Sequence, residues 1–245
     1  MRRIFGFTIL NIKILFSEKI ALVWTVVLPV FIALIVQKNV LDSITTQADL
    51  INYLSLFWVF IIVSSYINGI GLQLARLREY GLLKTYSLIA GNKNIIIFAT
   101  FLTQILFCFI SLMLFNFIMC IIYNIQDFSF FLIPILLLLL GLPIGLVSLA
   151  FATVPFRESS ISTIVNILTY PLFIVSLNSI KSIPDYIQIL NPFKLMKDWN
   201  MFFIQISHGN LSVNFIMQGL FVLIIYSLVG LICLRKVNLL SQIQR

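Results

Sequence analysis

The sequence contains few charged residues. Asp, Glu, Lys and Arg make up only 10% of its 245 positions, whereas hydrophobic residues make up 61% and the mean hydropathy is +1.10. Soluble domains average about 25% charged and about 45–50% apolar residues, so one aqueous core could not bury this much apolar surface. A soluble fold is therefore excluded. Lipid accepts apolar surface on every side, and the composition predicts an all-α integral membrane protein.

Residues that bind metals or form disulfides are also scarce. The three cysteines, Cys108, Cys120 and Cys233, all fall in apolar runs, where a packed and reduced thiol is expected. The single histidine, His208, has no neighbouring Cys, Asp or Glu, and one imidazole cannot complete a metal site. We expect neither a metal site nor a catalytic residue in this chain.

Two common sources of energy for transport are missing from the sequence. Every Asp, Glu, Lys and Arg lies in a loop or at the end of an apolar run, whereas ion-coupled carriers usually need an ionisable group inside the membrane. No Gly-Lys-Ser or Gly-Lys-Thr occurs, so the chain lacks the core of a phosphate-binding loop. Any ATP and Mg²⁺ would be bound by a separate ATPase subunit, and we expect this chain to bind no cofactor itself.

The apolar runs predict six transmembrane helices in one domain, 1–245. About 20 residues suffice to cross the hydrocarbon. Residues 1–19 mix basic and apolar side chains, which predicts an amphipathic helix at the interface; a basic leader to the first span is the alternative. Residues 181–211 predict short re-entrant or interfacial helices between spans 5 and 6. The predicted spans are 20–36, 53–75, 95–123, 130–154, 161–178 and 213–234.

The charges predict the orientation of these spans. Most of the 16 Lys and Arg residues fall in the N-terminal segment, residues 76–94, the turn at 155–160 and the C-terminal tail. By the positive-inside rule these segments and both termini are cytoplasmic. The cations form short clusters beside apolar runs, which is typical of topology signals and argues against nucleic-acid binding. The Ile-, Asn-, Lys- and Phe-rich composition favours a bacterial plasma membrane.

The densest charged stretch, residues 76–84, separates spans 2 and 3. Arg76, Arg78, Glu79 and Lys84 offer rim charges for a docking partner. Between them, Tyr80, Leu82 and Leu83 could fill a groove on that partner, and Gly81 permits a backbone geometry or a close approach that a side chain would block. A plain positive-inside loop is the alternative. The smaller Arg157-Glu158 turn is either a second contact or a further topology signal.

The same stretch resembles a motif of the ABC-2 branch of ATP-binding-cassette permeases. That motif commonly reads Arg-Glu-x-Gly-Thr-Leu followed by a basic residue, and Arg78-Glu79-Tyr80-Gly81-Leu82-Leu83-Lys84 differs at Leu82, which replaces the Thr. The region from Arg157 to Trp199 is similar to the C-terminal signature of this family. It contains Arg157-Glu158, Asn166, Pro171, Pro184 and Leu190-Asn191-Pro192 in the family's order, although Ser176-Leu177-Asn178 stands where the family often has Ser-Gly.

The resemblance implies the membrane subunit of an ATP-driven exporter. The chain would bind ABC ATPase subunits and pair with a second copy or a homologous permease. Spans 2 and 5 would line the path, with Asn68, Gln73, Asn166 and Thr169 as candidate lining residues, although polar side chains that merely join helices are the alternative. An outer segment, 181–203, would close the path; its candidate residues are Pro184, Asn191, Pro192 and Trp199.

The cargo is expected to be amphipathic or hydrophobic, because the spans are apolar and contain no charged cavity. A peptide, including an antimicrobial one, a drug or a lipid-linked molecule fits this description. The other class of function is a membrane immunity or scaffold protein that binds a peptide or lipid without transporting it. ATP turnover with a partner subunit distinguishes the two.

Overall fold

The structure is a computed structural model that describes residues 2–17, 19–36, 46–154, 156–177, 188–207, 214–237 and 239. These residues are almost entirely helical and include no strand. Pro184 and His208 lie outside them. The helices are α1 (Arg2–Ser17), α2 (Lys19–Phe31), α3 (Gln47–Tyr66), α4 (Gln73–Glu79), α5 (Leu82–Ala90), α6 (Lys93–Tyr123), α7 (Ser129–Leu140), α8 (Leu142–Ser148), α9 (Ala150–Thr153), α10 (Glu158–Leu177), α11 (Pro192–Ser207) and α12 (Asn214–Lys236).

Five helical segments are long and apolar enough to cross a membrane, which confirms an all-α, multi-pass architecture. They coincide with predicted spans 2 to 6. The segment for span 1 is shorter: α2 continues as a π-helix, Ile32–Val36, and its apolar part covers Thr25–Ile35. The five candidate spans are Asp49–Glu79, Lys93–Tyr123, Ser129–Thr153, Glu158–Ser176 and Met217–Lys236.

The second predicted span is a single long helix that contains a π-helical turn. Ile67–Leu72 joins α3 to α4 in this form. A Cβ on Gly69 would lie 2.2 Å from Gln104 Oε1, and one on Gly71 would lie 2.7 Å from Ser148 O. The two glycines therefore let α6 and α8 approach the π turn closely, and such turns are frequent at functional sites.

The fourth predicted span contains Pro134, Gly141, Pro143 and Gly145. Gly141 separates α7 from α8 within it. Pro143 has no N–H to donate, and the Tyr66 ring lies 2.9 Å from where a Gly141 Cβ would be. The Tyr66 hydroxyl also donates to Leu138 O at 2.6 Å. At this interruption, α7 and α8 are therefore in close contact with Tyr66 of α3.

The core lies around α3. Trp58 is fully buried and its indole N–H donates to Asn116 Oδ1 of α6 at 2.6 Å. The Asn116 amide donates in turn to Phe130 O of α7 at 2.9 Å. Buried polar groups are costly unless they are hydrogen-bonded, so these two consecutive hydrogen bonds fix α3, α6 and α7 relative to one another.

Candidate functional site

The predicted docking stretch forms a sharp bend between two helices. α4 ends at Glu79 and α5 begins at Leu82, and Gly81 between them has φ = 72°. Gly91, with φ = 83°, ends α5, after which Asn92 accepts a hydrogen bond from the Asn94 backbone N–H at 2.9 Å and starts α6. The predicted need for glycine at position 81 is met by this left-handed backbone, which other L-residues adopt at a cost.

Arg78 is not at the rim, where the sequence placed it. It is only 2% exposed. Its guanidinium donates to three backbone carbonyls just past the end of α8 and around α9: Ala152 O at 2.9 Å, Val154 O at 2.6 Å and Phe156 O at 2.9 Å. The last carbonyls of a helix have no partners within it, so Arg78 closes that helix end. Its role is internal.

The other predicted docking residues divide into buried and exposed ones. Leu83 is fully buried, and Glu79 is buried with Oε2 lacking a hydrogen-bond donor among the described residues. Tyr80, Leu82 and Lys84 are exposed, Tyr80 by 67%. These three keep the accessible position that docking requires, as do Arg76 and Arg157.

The two predicted contact segments lie side by side. Arg76 Nε is 3.3 Å from Glu158 Oε1 at the start of α10. Arg157 is exposed next to this pair. The sequence analysis did not predict this pairing, although both segments contain an Arg-Glu pair, Arg78-Glu79 and Arg157-Glu158. α4 is thereby bonded both to the region around α9, through Arg78, and to α10, through Arg76.

α5 presents an apolar face outward as well as inward. Its inward side buries Leu83 and Ala90. On its outward side Leu88 is 74% exposed and Ile89 is 67% exposed, close to the exposed Leu82. We call Tyr80, Leu82, Lys84, Leu88 and Ile89 the α5 face. The sequence analysis missed Leu88 and Ile89. The spacing of seven residues places Ile89 on the same side of the helix as Leu82, and Leu88 lies about 120° around the helix from Leu82.

α1 supports α5 from the opposite side. Arg3 Nη1 donates to Ala90 O, the last residue of α5, at 2.8 Å. The rings of Phe7 and Tyr86 lie 5.7 Å apart. Arg3 thus holds the C-terminal end of α5, and Arg78 of the preceding helix, α4, is bound to the region around α9.

A polar cavity of about 470 Å³ opens beside the bend. Three of the four predicted lining residues, Asn68, Gln73 and Asn166, contribute to its wall. Thr169 does not: it is buried, and its hydroxyl donates to Val165 O at 2.7 Å within α10. Threonine in a membrane helix commonly satisfies its hydroxyl in this way.

The cavity wall contains further polar residues that the sequence did not single out. Asn11 and Gln104 are among them, and the Gln104 amide donates to Gln73 Oε1 at 3.0 Å. Asn11 Nδ2 and Asn68 Oδ1 are buried without a partner among the described residues. An unpaired buried donor and acceptor in one cavity are ready to bind an amide or hydroxyl of a ligand. Asn11 was missed because α1 was assigned to the interface alone.

A second cavity of about 390 Å³ continues from the first. Both are lined by Thr25 of α2 and by Ser64 and Asn68 of the long helix, and the second extends to Phe60 and Tyr170. Together they form a groove along α3, α2 and α10. Both parts are lined by polar and aromatic side chains; the rings are those of Tyr80, Tyr86 and Phe107 in the first cavity and of Phe60 and Tyr170 in the second.

The predicted outer segment is packed against the end of α10. Asn191 accepts from the Phe193 backbone N–H at 3.0 Å and donates to Leu172 O at 2.7 Å, so it caps α11 and binds α10 at once. Pro192 is the first residue of α11, where its missing N–H costs nothing. Trp199 is buried against the rings of Phe202 and Phe203.

Lys197 makes the second connection between these helices. Its ammonium donates to Ser176 O at 3.0 Å, close to the end of α10. Burial lowers the pKa of Lys197, the nearby charge of Lys194 lowers it further, and Asp198 opposes the shift. Lys194 itself lies 2.7 Å from Asp198 Oδ1 one turn along α11.

Comparison of the chain with family models, curated proteins and solved structures finds no match.

Proposed function

We propose that this chain is the transmembrane subunit of an ATP-driven exporter of the ABC-2 type. In this proposal it has six spans, lies in a bacterial plasma membrane with both termini in the cytoplasm, and leaves ATP and Mg²⁺ to a separate ATPase. The observation that carries the proposal is the bend at Gly81, where an exposed apolar face is joined rigidly to three other helices.

The contacts around the bend suit the transmission of a movement. An ATPase docked on the α5 face would push on a helix whose last residue, Ala90, is bound by Arg3 and which directly follows the bend after Arg78. Arg78 leads to α9 and Arg76 leads to α10. Because packed helices move as units, a shift of the bend would displace these spans rather than deform a loop.

The groove along α3 fits the cargo path of such an exporter. It is lined by polar and aromatic side chains together, which favours an amphipathic cargo such as a peptide, a drug or a lipid-linked molecule. α10 is the most exposed of the long apolar helices along with α12, so a second copy or a homologous permease could cover it and close the path. α11, bound to the end of α10, would move with it as the outer gate.

The test is co-purification and ATP hydrolysis with an ATPase encoded beside this chain. Leu88→Asp with Ile89→Asp should lower both by at least about tenfold, since a charge in an apolar docking contact removes hot-spot energy. Phe128→Asp is the matched control, because Phe128 is 76% exposed in the turn between α6 and α7 and should leave both unchanged. Equal activity of all three proteins would refute the docking face.

Binding without transport is the second candidate, and the cavities favour it independently of any ATPase. Asn11 Nδ2 and Asn68 Oδ1 are unpaired whether or not a nucleotide is hydrolysed nearby. A chain that binds a peptide in membranes, loses that binding on Asn68→Leu, and never stimulates an ATPase would be an immunity or scaffold protein.

A further inference from the structure

A separate groove of about 390 Å³ lies between α1, α6, α8 and α12. It shares no residue with the polar cavities, and every side chain that lines it is apolar. The wall includes Ile4, Ile97, Phe98, Ile105, Leu146 and Leu234. From Ile97 to Ile105 it follows α6 for about 12 Å, at about 1.5 Å per residue. Phe98 is half exposed, so the groove opens on the outside of the bundle, where α6 and α12 meet lipid.

Cationic residues gather at one end of this groove. Lys93 Nζ donates to Arg235 O and to Val237 O, both at 2.9 Å, which holds the end of α12 against the start of α6. Arg3 is placed beside them by its bond to Ala90 O. The side chains of Arg3, Arg235 and Lys236 are all exposed there.

This end carries no compensating negative charge from the groove's own helices. α1, α6, α8 and α12 contain no Asp or Glu at all. The basic ends mark the cytoplasmic side by the positive-inside rule. The groove is therefore apolar along its length and positive at the cytoplasmic membrane surface. It complements a phospholipid, whose acyl chain is apolar and whose anionic headgroup lies at that surface.

We propose that this groove binds an anionic phospholipid of the cytoplasmic leaflet. One acyl chain lies along α6 between Ile97 and Ile105, and the phosphate and headgroup are held by Arg3, Arg235 and Lys236. A second copy of the chain fits less well: a two-fold contact through this groove would bring another set of the same cations, with no acid from these helices to pair them. The site is independent of any ATPase.

The test measures lipid selectivity of the full chain in nanodiscs. Phosphatidylglycerol and phosphatidylcholine that carry the same spin-labelled acyl chain are compared. Electron paramagnetic resonance measures, for each lipid, the fraction whose motion is restricted by contact with the protein. We expect the unmodified chain to prefer phosphatidylglycerol by about fivefold or more, since each cation at the surface contributes about that factor. This preference should fall as salt is raised, because screening weakens it.

Two pairs of variants separate the groove from general attraction to the surface. Arg235→Gln with Lys236→Gln should remove most of the preference, whereas Lys84→Gln with Arg157→Gln, which removes two exposed cations elsewhere, should keep it. Leu102→Trp should lower the number of restricted chains by filling the groove, and Ile121→Trp, on a lipid-exposed part of α6, should not. The variants alter no backbone donor or acceptor of the Lys93 contact.

Three results would overturn the proposal. One is a preference that is absent, or insensitive to salt, in the unmodified chain. Another is an equal loss in both glutamine pairs, which would mean uniform surface attraction. The third is a change in oligomeric mass on Leu102→Trp with no change in lipid selectivity, which would assign the groove to contact between copies.

Discussion

At the scale of single residues, Arg76 and Arg78 show how differently two nearby cations can be used. Arg76 is half exposed and makes one ion pair with Glu158. Arg78 is buried and provides donors for three backbone carbonyls that have no partner within their own helix. The first can move with a docked partner, and the second holds the bend to α9.

Arg78→Gln is therefore expected to destabilise the chain strongly. The loss is about 3 kcal/mol or more, because charged hydrogen bonds are lost and buried carbonyls are left unpaired. Arg76→Gln should cost at most about 1 kcal/mol, as exposed ion pairs contribute little. Unfolding in mixed micelles with increasing SDS measures both. Similar losses for the two substitutions would show that the buried contacts of Arg78 do not hold the bend.

Gly81→Ala is expected to lower stability by roughly 1–2 kcal/mol, because its φ of 72° is unfavourable for a residue with a Cβ. Gly6→Ala is the matched control. Gly6 lies inside α1 with open space around it, so alanine there should be neutral or stabilising by up to about 1 kcal/mol. Thermal unfolding in detergent gives both values. A Gly81→Ala protein as stable as Gly6→Ala would contradict the left-handed turn.

The residue scale also shows what sequence reasoning could reach. The need for Gly81 was predictable, because a glycine between two charged helical segments indicates a special backbone. The burial of Arg78 was not, since its three partners are backbone carbonyls 74 to 78 positions away. The position of Ile89 was accessible to helical spacing from Leu82, but the charge of residues 76–84 drew the prediction to that stretch alone.

At the scale of elements, α10 and α11 are joined near the C-terminal end of α10. Asn191 and Lys197 both donate to carbonyls near the end of α10, at Leu172 and Ser176. α11 has 16 residues, fewer than the about 20 that cross the hydrocarbon. A short helix fixed to a spanning one can follow its movement, as the proposed gate requires.

The lowered pKa of Lys197 predicts that stability rises with pH in the alkaline range. Between this lowered pKa and the ordinary value of 10.5, the unfolded chain binds more protons than the folded one, so the free energy of unfolding increases with pH. At lower pH both states are protonated and the cost of burying the charge is constant. Lys197→Met should remove this rise, whereas Lys84→Met, at an exposed position, should retain it. Unfolding midpoints across this range measure the effect, and identical pH profiles for Lys197→Met and the unmodified chain would contradict it.

The elements themselves were largely predictable. Long apolar runs gave helices close to the predicted bounds, since nothing but a helix satisfies the backbone in lipid. The π turn at Ile67–Leu72 was not predicted, because it depends on how closely Gln104 and Ser148 approach Gly69 and Gly71. The interruption at Gly141 lies among the prolines and glycines of the fourth span, Pro134, Gly141, Pro143 and Gly145.

At the scale of the whole molecule, the cavities depend on contacts that no local pattern reveals. Asn68, Gln73 and Asn166 were chosen as polar residues in apolar spans, and the structure brings these three together. The approach of α1, which adds Asn11 to the same wall, follows from packing over 90 positions of sequence. The orientation in the membrane, by contrast, is predicted from the distribution of charge alone, and it can be tested separately from the cavities.

Tyr80 and Phe128 are expected to lie on opposite sides of the membrane. They flank α6, whose 31 residues span about 46 Å and exceed the about 30 Å of hydrocarbon, and both side chains are exposed. In a chain without its native cysteines, an impermeant thiol reagent should label Phe128→Cys in intact cells and Tyr80→Cys only after the membrane is opened. The reverse order would invert the topology and remove the α5 face from any cytoplasmic ATPase. Labelling of both from one side would mean that α6 does not cross the membrane, and both the exporter and the lipid site would then lose their physical basis.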